Sequence, residues 1–531
     1  RNDVVFGKSR GILYHQPDYA CERGALVVIP KQYKNHVPNN VTSYIDGEFV
    51  SPEGAVALPI IYPGNGEQVS ELFEADFQQV DDAVSAAKQS LDKGVWSNTS
   101  TAEKQKVFQN ICALTAENLD ELAALETINT GQTLSYSRLA QLPRVMASFK
   151  FYSEWIAQAT EISAMQDSSI LRYATREPLG PVGLISSSNA PTALASTKIA
   201  AALAFGNSCV VKTSENTPLA LARFMQILTE AGVPDGVVNL VNGTGPVTGM
   251  ALSSHPQLRG ISFTGGTATA KMITAETCKT LKRVELELGG KSANIIMPSC
   301  DLDLALDSAL VAIYSNNGQQ CFAGSRIILH RDIANQFMEN FIQRAQTIRL
   351  GDPFDLTTEN GPLASAGHIA RLQSYVDIAF EDGAELLTGG KRPEHLQRGY
   401  YFEPTAVIAK SNSSRVCQEE IFGPFATFLV VDSLDEAIDI ANDSIYGLVS
   451  YIWSNNHREI MHASHSIKAG LVMANTPLTS LDLRMPFGGF KESGIGREGA
   501  MGARSFYTEE KTVAIALANP ILPKLGGHKG E

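Results

Sequence analysis

Apolar positions change their spacing several times along the chain, and the changes mark its elements. Within residues 80–115 they recur at helical intervals, at Val80, Ala83, Val84 and Ala87 and later at Val107, Ile111 and Leu114, which predicts helix. From Pro181 onward short apolar runs alternate with longer amphipathic ones. Val182–Ile185 reads as a buried strand, residues 193–205 as a helix closed by Gly206-Asn207, and Cys209–Lys212 as a second strand. Thr217-Pro218 supplies an N-cap followed by proline at the first helical position, opening a helix that ends near Gly232. Residues 237–241 and 260–263 are further strands. Strands alternating with helices imply parallel βαβ units in a doubly wound sheet, with ligands at the carboxyl ends of its strands.

A second α/β region follows Gly289. Asp301 can cap a helix with Leu304, Ala305, Ala309 and Ile313 on one face, and Cys321 lies just beyond it. Residues 162–176 and 505–515 read as extended ribbons whose edges need partners. Near the start, residues 24–30 could form a short strand. No internal repeat or low-complexity tract interrupts the pattern.

At 531 residues the chain is too long for one core, so two or three domains are expected. A charged content of 19% and a hydrophobic content of 44% are ordinary for a globular protein. The net charge of -13 argues against nucleic-acid and anionic-membrane partners. No uncharged apolar run reaches the length of a membrane span. The cysteines are odd in number and scattered, with no zinc-like spacing, so no metal is expected and a reducing cytoplasmic setting is.

The candidate chemistry lies in two short segments. Cys321 sits in Asn316-Asn317-Gly318-Gln319-Gln320-Cys321-Phe322-Ala323-Gly324, and Glu285-Leu286-Glu287-Leu288-Gly289-Gly290-Lys291 precedes it. A thiol at a glycine-rich junction can attack a carbonyl, and a carboxylate before a Gly-Gly turn can activate water. Together these segments resemble the aldehyde dehydrogenase superfamily, and the resemblance runs from about residue 42 to 516. It implies a Rossmann-like cofactor domain from 42–157 and 179–288, an α/β catalytic domain from 289–492, and a β oligomerisation arm from 158–178 and 503–518. Residues 1–41 are then an N-terminal extension, and the protein a homodimer or homotetramer.

The resemblance assigns the site residue by residue. Cys321 is the nucleophile and Glu287 the base that activates the hydrolytic water, with Glu285 an ordinary neighbouring carboxylate. Asn189, in Ser188-Asn189-Ala190-Pro191, matches the family's oxyanion donor, although small residues replace the usual flanking aromatics. Lys198 stands behind Glu287 as a relay or structural partner. There is no GxGxxG. Instead Gly265 and Gly266 open a helix after a strand, with backbone N–H groups free for a pyrophosphate. Lys212 and Glu215 fall on the adenosine ribose, and Glu215 would repel a 2′-phosphate, so the implied cofactor is NAD. Glu420 and Phe422, in Glu419-Glu420-Ile421-Phe422-Gly423-Pro424, match the nicotinamide-ribose segment.

Arg484, before Pro486-Phe487-Gly488-Gly489, and Arg144, in Leu142-Pro143-Arg144, resemble the hydroxymuconic and aminomuconic semialdehyde dehydrogenases. Two guanidinium groups could clamp a substrate carboxylate. The expected substrate is therefore a small carboxylated semialdehyde. The alternatives are a betaine-type or broad aliphatic enzyme, and a non-catalytic member of the fold that would be free to lose Cys321, Glu287, Asn189 and Lys212.

Overall fold

The computed structural model describes residues 27–51, 54–165, 168–476, 481–520, 522–523 and 525–526. Two large α/β sheets dominate it, as the alternation of short apolar runs and amphipathic segments requires. The first sheet has eight strands. Its five central strands are parallel, in the order Arg283–Leu288, Gly260–Gly265, Val182–Ile185, Cys209–Lys212 and Val238–Leu240. The chain fills one side of Val182–Ile185 and then returns to fill the other. The sheet is thus doubly wound, with its switch point between Val182–Ile185 and Gly260–Gly265. Antiparallel strands close both ends, including Gly494–Ile495 beside Arg283–Leu288.

The second sheet has seven strands. Its parallel part includes Phe425–Val431, Arg326–His330, Ala293–Ile296, Val449–Trp453 and Leu471–Ala474, and only Glu385–Thr388 runs antiparallel. In a third, ribbon-like sheet Ile170–Pro178 is the central strand, pairing with Thr508–Ala516 on one side and Ser163–Ala164 on the other. The predicted ribbon is formed in part: of 162–176 the described strands are Ser163–Ala164 and Ile170–Pro178, and residues 505–507 belong to the helix Ala500–Tyr507.

Several local expectations are corrected. The region 80–115 is two helices, Phe77–Asp92 and Thr101–Glu117, broken at Gly94 in the left-handed region (φ +69°) and restarted by a Ser100/Glu103 capping box. Thr217 does not cap the next helix, which runs Leu219–Glu230. Its first free amide, Leu219 N, donates instead to Asn129 Oδ1 at 2.6 Å, so a residue distant in sequence supplies the cap. Asp301 does cap Leu302–Tyr314 through Leu304 N. Ala305, Ala309 and Ile313 are buried there, whereas Leu304 faces solvent. Of the strand expected at 24–30, the first three residues lie outside the described ones, and 27–30 are not strand. Even so, Val27 is buried, Tyr33 stacks on Phe354, and Asn40–Val41 pairs with Glu67–Phe73.

Candidate active site

Cys321 lies between the two large sheets, where one turn fixes its direction. After the helix Leu302–Tyr314, Asn316, Asn317 and Gly318 all take positive φ, at +51°, +53° and +67°. Asparagine and glycine are the residue types that tolerate this region. A Cβ on Gly318 would lie 2.0 Å from Gly423 O, so only glycine fits. The turn is pinned by Asn317 Nδ2 donating to Gly361 O and Pro362 O, and by Asn316 Nδ2 donating to Asn189 O. Beyond the thiol, Tyr451 Oη donates to Phe322 O at 2.8 Å. Cys321 is half-buried. Burial pushes its thiol up to about 12, with the Glu420 and Glu287 carboxylates adding to the rise and the Arg144 guanidinium opposing it. The nucleophile is therefore stored as the thiol.

Asn189 follows the strand Val182–Ile185, at the carboxyl edge of the doubly wound sheet. Its Nδ2 donates to Gln319 O at 2.9 Å, and its Oδ1 accepts from Ser187 Oγ at 2.6 Å. Gln132 Nε2 donates to its backbone carbonyl. The amide is thus tied to the carbonyl of Gln319, two residues before Cys321, and its second N–H is the one left to meet a developing oxyanion.

Glu285 and Glu287 belong to the strand Arg283–Leu288. Being two apart, they point to the same face of the sheet. That face meets the helix Pro191–Ala204, which carries Lys198. Lys198 Nζ donates to Ser262 Oγ and to Glu498 Oε1, each at 2.8 Å, and Ser262 Oγ donates onward to Glu285 Oε2 at 2.8 Å. Neither carboxylate oxygen of Glu287 makes a hydrogen bond. Burial pushes the Glu287 carboxyl well above its usual range, and Glu498 and Glu285 push the same way against Lys198 and Arg497. Burial works against the Lys198 charge, yet Glu498 and Glu285 hold its ammonium above the usual range. Lys198 thus lies within electrostatic reach of Glu287 but spends its hydrogen bonds elsewhere.

The cofactor candidates line the same edge. Gly265 ends its strand, and Gly266 caps the eleven-residue helix Thr267–Thr277 without a side-chain cap. A Cβ on Gly266 would meet nothing within 4 Å, so the turn is an open cradle of backbone amides suited to a pyrophosphate. Lys212 is buried, with Nζ donating to Thr213 O and standing 3.9 Å from Glu215 Oε2. Glu420 Oε1 accepts from Gly290 N at 3.2 Å, and a Cβ on Gly289 would lie 2.1 Å from Glu420 Oε2. Phe422 holds a left-handed backbone (φ +61°), a costly state for an aromatic residue. Arg371 restrains that loop by donating to Glu420 O and Ile421 O, and the His368 ring lies 6.1 Å from Phe422. The residues present fit a dinucleotide.

The two arginines part company. Arg144, on the helix Leu142–Ile156, is half-buried and its charge reaches Cys321. Arg484 is 77% exposed and chelates the carboxylate of Asp482, two residues before it. The described contacts do not join them into a clamp. Sequence reasoning missed Ser262, Glu498, Gln132, His368 and Arg371 as parts of the site. For Glu285 a signal was present: the i, i+2 spacing to Glu287 already places both on one face.

The profile of the aldehyde dehydrogenase family matches residues 49–513. The chain is 40% identical over 476 residues to a betaine aldehyde dehydrogenase of Bacillus subtilis (strain 168), covering 89% of this chain and 96% of that one. It is 35% identical over 485 residues to a 2-hydroxymuconic semialdehyde dehydrogenase of Pseudomonas sp. (strain CF600), covering 90% and 99%. Among solved structures it resembles PnpE in complex with nicotinamide adenine dinucleotide, at TM-score 0.89 and 41% identity over 91% of this chain and 99% of that one. It also resembles the NAD+ complex of an aldehyde dehydrogenase from Bacillus cereus, at TM-score 0.89 and 34% identity over 93% and 100%.

Proposed function

The chain belongs to the aldehyde dehydrogenase family, and we propose that it oxidises a carboxylate-bearing semialdehyde to the acid with NAD, through a covalent intermediate on Cys321. The Cys321 sulfur, once deprotonated, attacks the aldehyde carbon and forms a tetrahedral thiohemiacetal. The oxygen that gains charge is met by the Cys321 backbone N–H and the Asn189 amide. When bound, NAD accepts the hydride that leaves this carbon. Lys212, Glu215, Gly265 and Gly266 orient its adenosine and pyrophosphate, and Glu420 and Phe422 its nicotinamide end. Glu287 then takes a proton from water as the water oxygen bonds to the thioester carbon. The C–S bond breaks and Cys321 is regenerated. Lys198, bonded to Ser262 and Glu498, acts on Glu287 through its charge rather than as a direct partner.

Retention of the whole acid–base and nucleophile set argues against a non-catalytic role. NAD-bound neighbours and the carboxylate of Glu215 support the choice of cofactor. Glu215→Gln is expected to weaken the preference for NAD over NADP by about tenfold, roughly 1.4 kcal/mol of relieved like-charge repulsion. Paired initial rates with the two cofactors check this, and a parent enzyme that prefers NADP overturns the assignment. The ribbon built from Ile170–Pro178 and Thr508–Ala516 has edges suited to pairing with another copy, so we read the protein as a homodimer or homotetramer. Among the described residues no helix is long and apolar enough to cross a membrane, and we place the enzyme in the cytoplasm.

The charge of Arg144 beside the nucleophile carries the choice of substrate. It attracts a carboxylate and repels the quaternary ammonium of a betaine-type aldehyde. Ser188 and Ala190 also leave the Asn189 loop without the aromatic faces that recognise such cations. The betaine aldehyde dehydrogenase relative favours the competing reading, so the test uses both chemistries. Hydrogen bonds to charged groups contribute about 1.5–3 kcal/mol. Arg144→Met should therefore lower kcat/KM for a carboxylated semialdehyde about ten- to a hundredfold more than for a neutral aldehyde of equal length. Arg484→Ala should cost less, because Asp482 already occupies its guanidinium. An equal loss on both substrates, or a parent preference for the cationic aldehyde, sinks the carboxylate reading.

A further inference from the structure

We propose that Glu285 is a positioning residue for hydrolysis: acting through Ser262, it holds the Lys198 ammonium away from Glu287 and so keeps Glu287 basic. The inference rests on the reading of Glu287 as the hydrolytic base. Parallel register places Ser262 directly opposite Glu285, and Thr264 opposite Glu287. Ser262 spends its hydroxyl proton on Glu285 Oε2. Its oxygen is thereby turned toward Lys198 as an acceptor, and Lys198 Nζ donates to it at 2.8 Å. A second Lys198 proton goes to Glu498 Oε1. The cation is held between two carboxylates, one reached directly and one through a hydroxyl. Glu287, on the same sheet face as Glu285, keeps both its oxygens free of hydrogen bonds.

The surroundings make this arrangement consequential. Glu285 and Lys198 are each 1% exposed and Glu287 is 5% exposed. The charged groups facing Glu287 are Lys198 from the helix Pro191–Ala204, Glu285 from its own strand, and Glu498 and Arg497 from the segment after Gly494–Ile495. Those facing Glu285 are Lys198 and Glu498, and the phenols of Tyr152 and Tyr507 pack close to it. Lys198 is thus the one cation common to both carboxylates. If it turned to Glu287, a direct buried ion pair would form. A carboxylate so paired is a weaker base, because the ammonium stabilises its ionised form. Glu285 offers the ammonium a competing partner and adds a like charge near Glu287. Both effects hold the Glu287 proton affinity high.

The experiment is a pH profile of thioester hydrolysis, measured by rapid mixing of NAD-loaded enzyme with an aldehyde. The NADH burst counts competent sites, and the steady phase after it reports hydrolysis. In the parent, the rise of hydrolysis with pH should follow one ionisation that Glu287→Gln removes. Glu285→Gln keeps the acceptor oxygen for Ser262 but removes the charge. It should move that ionisation toward acid by about one pH unit and lower the alkaline plateau severalfold, since a weaker base takes the proton less readily. Ser262→Ala breaks the tether to Lys198 and should shift the ionisation the same way, which covers the case in which Glu285→Gln fails to fold. An ionisation unmoved in the folded variants overturns the role of Glu285. An ionisation that survives Glu287→Gln overturns the reading of Glu287 itself.

Discussion

Cys321→Ala abolishes aldehyde oxidation, by more than about 10⁴-fold as expected for removal of a covalent nucleophile, while NAD still binds near the parent affinity. The two effects separate because thiol and cofactor contacts rest on different elements. Cys321 hangs on the left-handed Asn316–Asn317–Gly318 turn. Gly265 and Lys212 end strands of the doubly wound sheet, and Gly266 caps the helix that follows. Nothing in the described hydrogen bonds of that sheet runs through the Cys321 side chain. Turnover rates set beside cofactor titration by fluorescence check the split, and measurable turnover in the variant sinks the assignment. A second consequence follows from the burial that pushes the thiol up to about 12. At neutral pH the cofactor-free protein therefore holds Cys321 as the thiol, and the thiolate is the reactive form. Its alkylation by iodoacetamide should therefore climb about tenfold per pH unit from neutrality to about pH 11. The Glu420 carboxylate is the largest charged contributor to that rise. Glu420→Gln should accelerate alkylation at fixed pH, and a variant no faster than the parent would show that the Glu420 charge does not hold the thiol up.

The doubly wound sheet was legible because its strands are short apolar runs separated by amphipathic segments, and both patterns are local. The switch point was legible only in kind. That Val182–Ile185 and Gly260–Gly265 are neighbours depends on pairing between strands some 80 residues apart, which periodicity does not encode. The same distance explains the missed cap. Thr217-Pro218 carries the local signature of a helix start, but Asn129, on another helix, reaches Leu219 N first. Leu304 was assigned inward because leucine is apolar, yet it is Ala305, Ala309 and Ile313 that turn to the sheet.

The candidate site divides along the same line. Cys321, Glu287, Asn189 and Gly265–Gly266 are each announced by their own neighbours in sequence. Lys198 was visible as a residue but not as a ligand of Ser262 and Glu498, because those partners come from a strand and from a segment 300 residues on. Arg484 shows the reverse case. Its motif pointed to substrate, whereas a carboxylate two residues away takes its guanidinium. Local charge pairing can win over a family motif wherever the side chain is exposed.

Glu287→Gln should arrest the enzyme after one turnover, with a burst of NADH equal to the active-site count and an acyl adduct on Cys321. The amide is nearly the size of the carboxylate and makes no demand on a partner that Glu287 has, since both Glu287 oxygens are without hydrogen bonds. Acylation uses the thiol, the Asn189 amide and the cofactor, so it survives. Hydrolysis needs a group that takes a proton from water, and an amide does not. Loss of a general base costs typically 10²–10⁴-fold, and steady-state turnover should fall in that range. The parent should show its own sign of the buried base. Burial, with Glu498 and Glu285, holds the Glu287 carboxyl well above its usual range. The proton is therefore on the group at acid pH and leaves as pH rises, so hydrolysis grows with pH up to that raised ionisation. In Glu287→Gln this rise should vanish while the burst remains. Intact mass of the quenched protein distinguishes the outcomes. An adduct of acyl mass confirms the stalled thioester, whereas full turnover without adduct moves the water-activating role to another carboxylate of the cluster. Glu498 is the first alternative, because it is bonded to Lys198 and more open to solvent than Glu285.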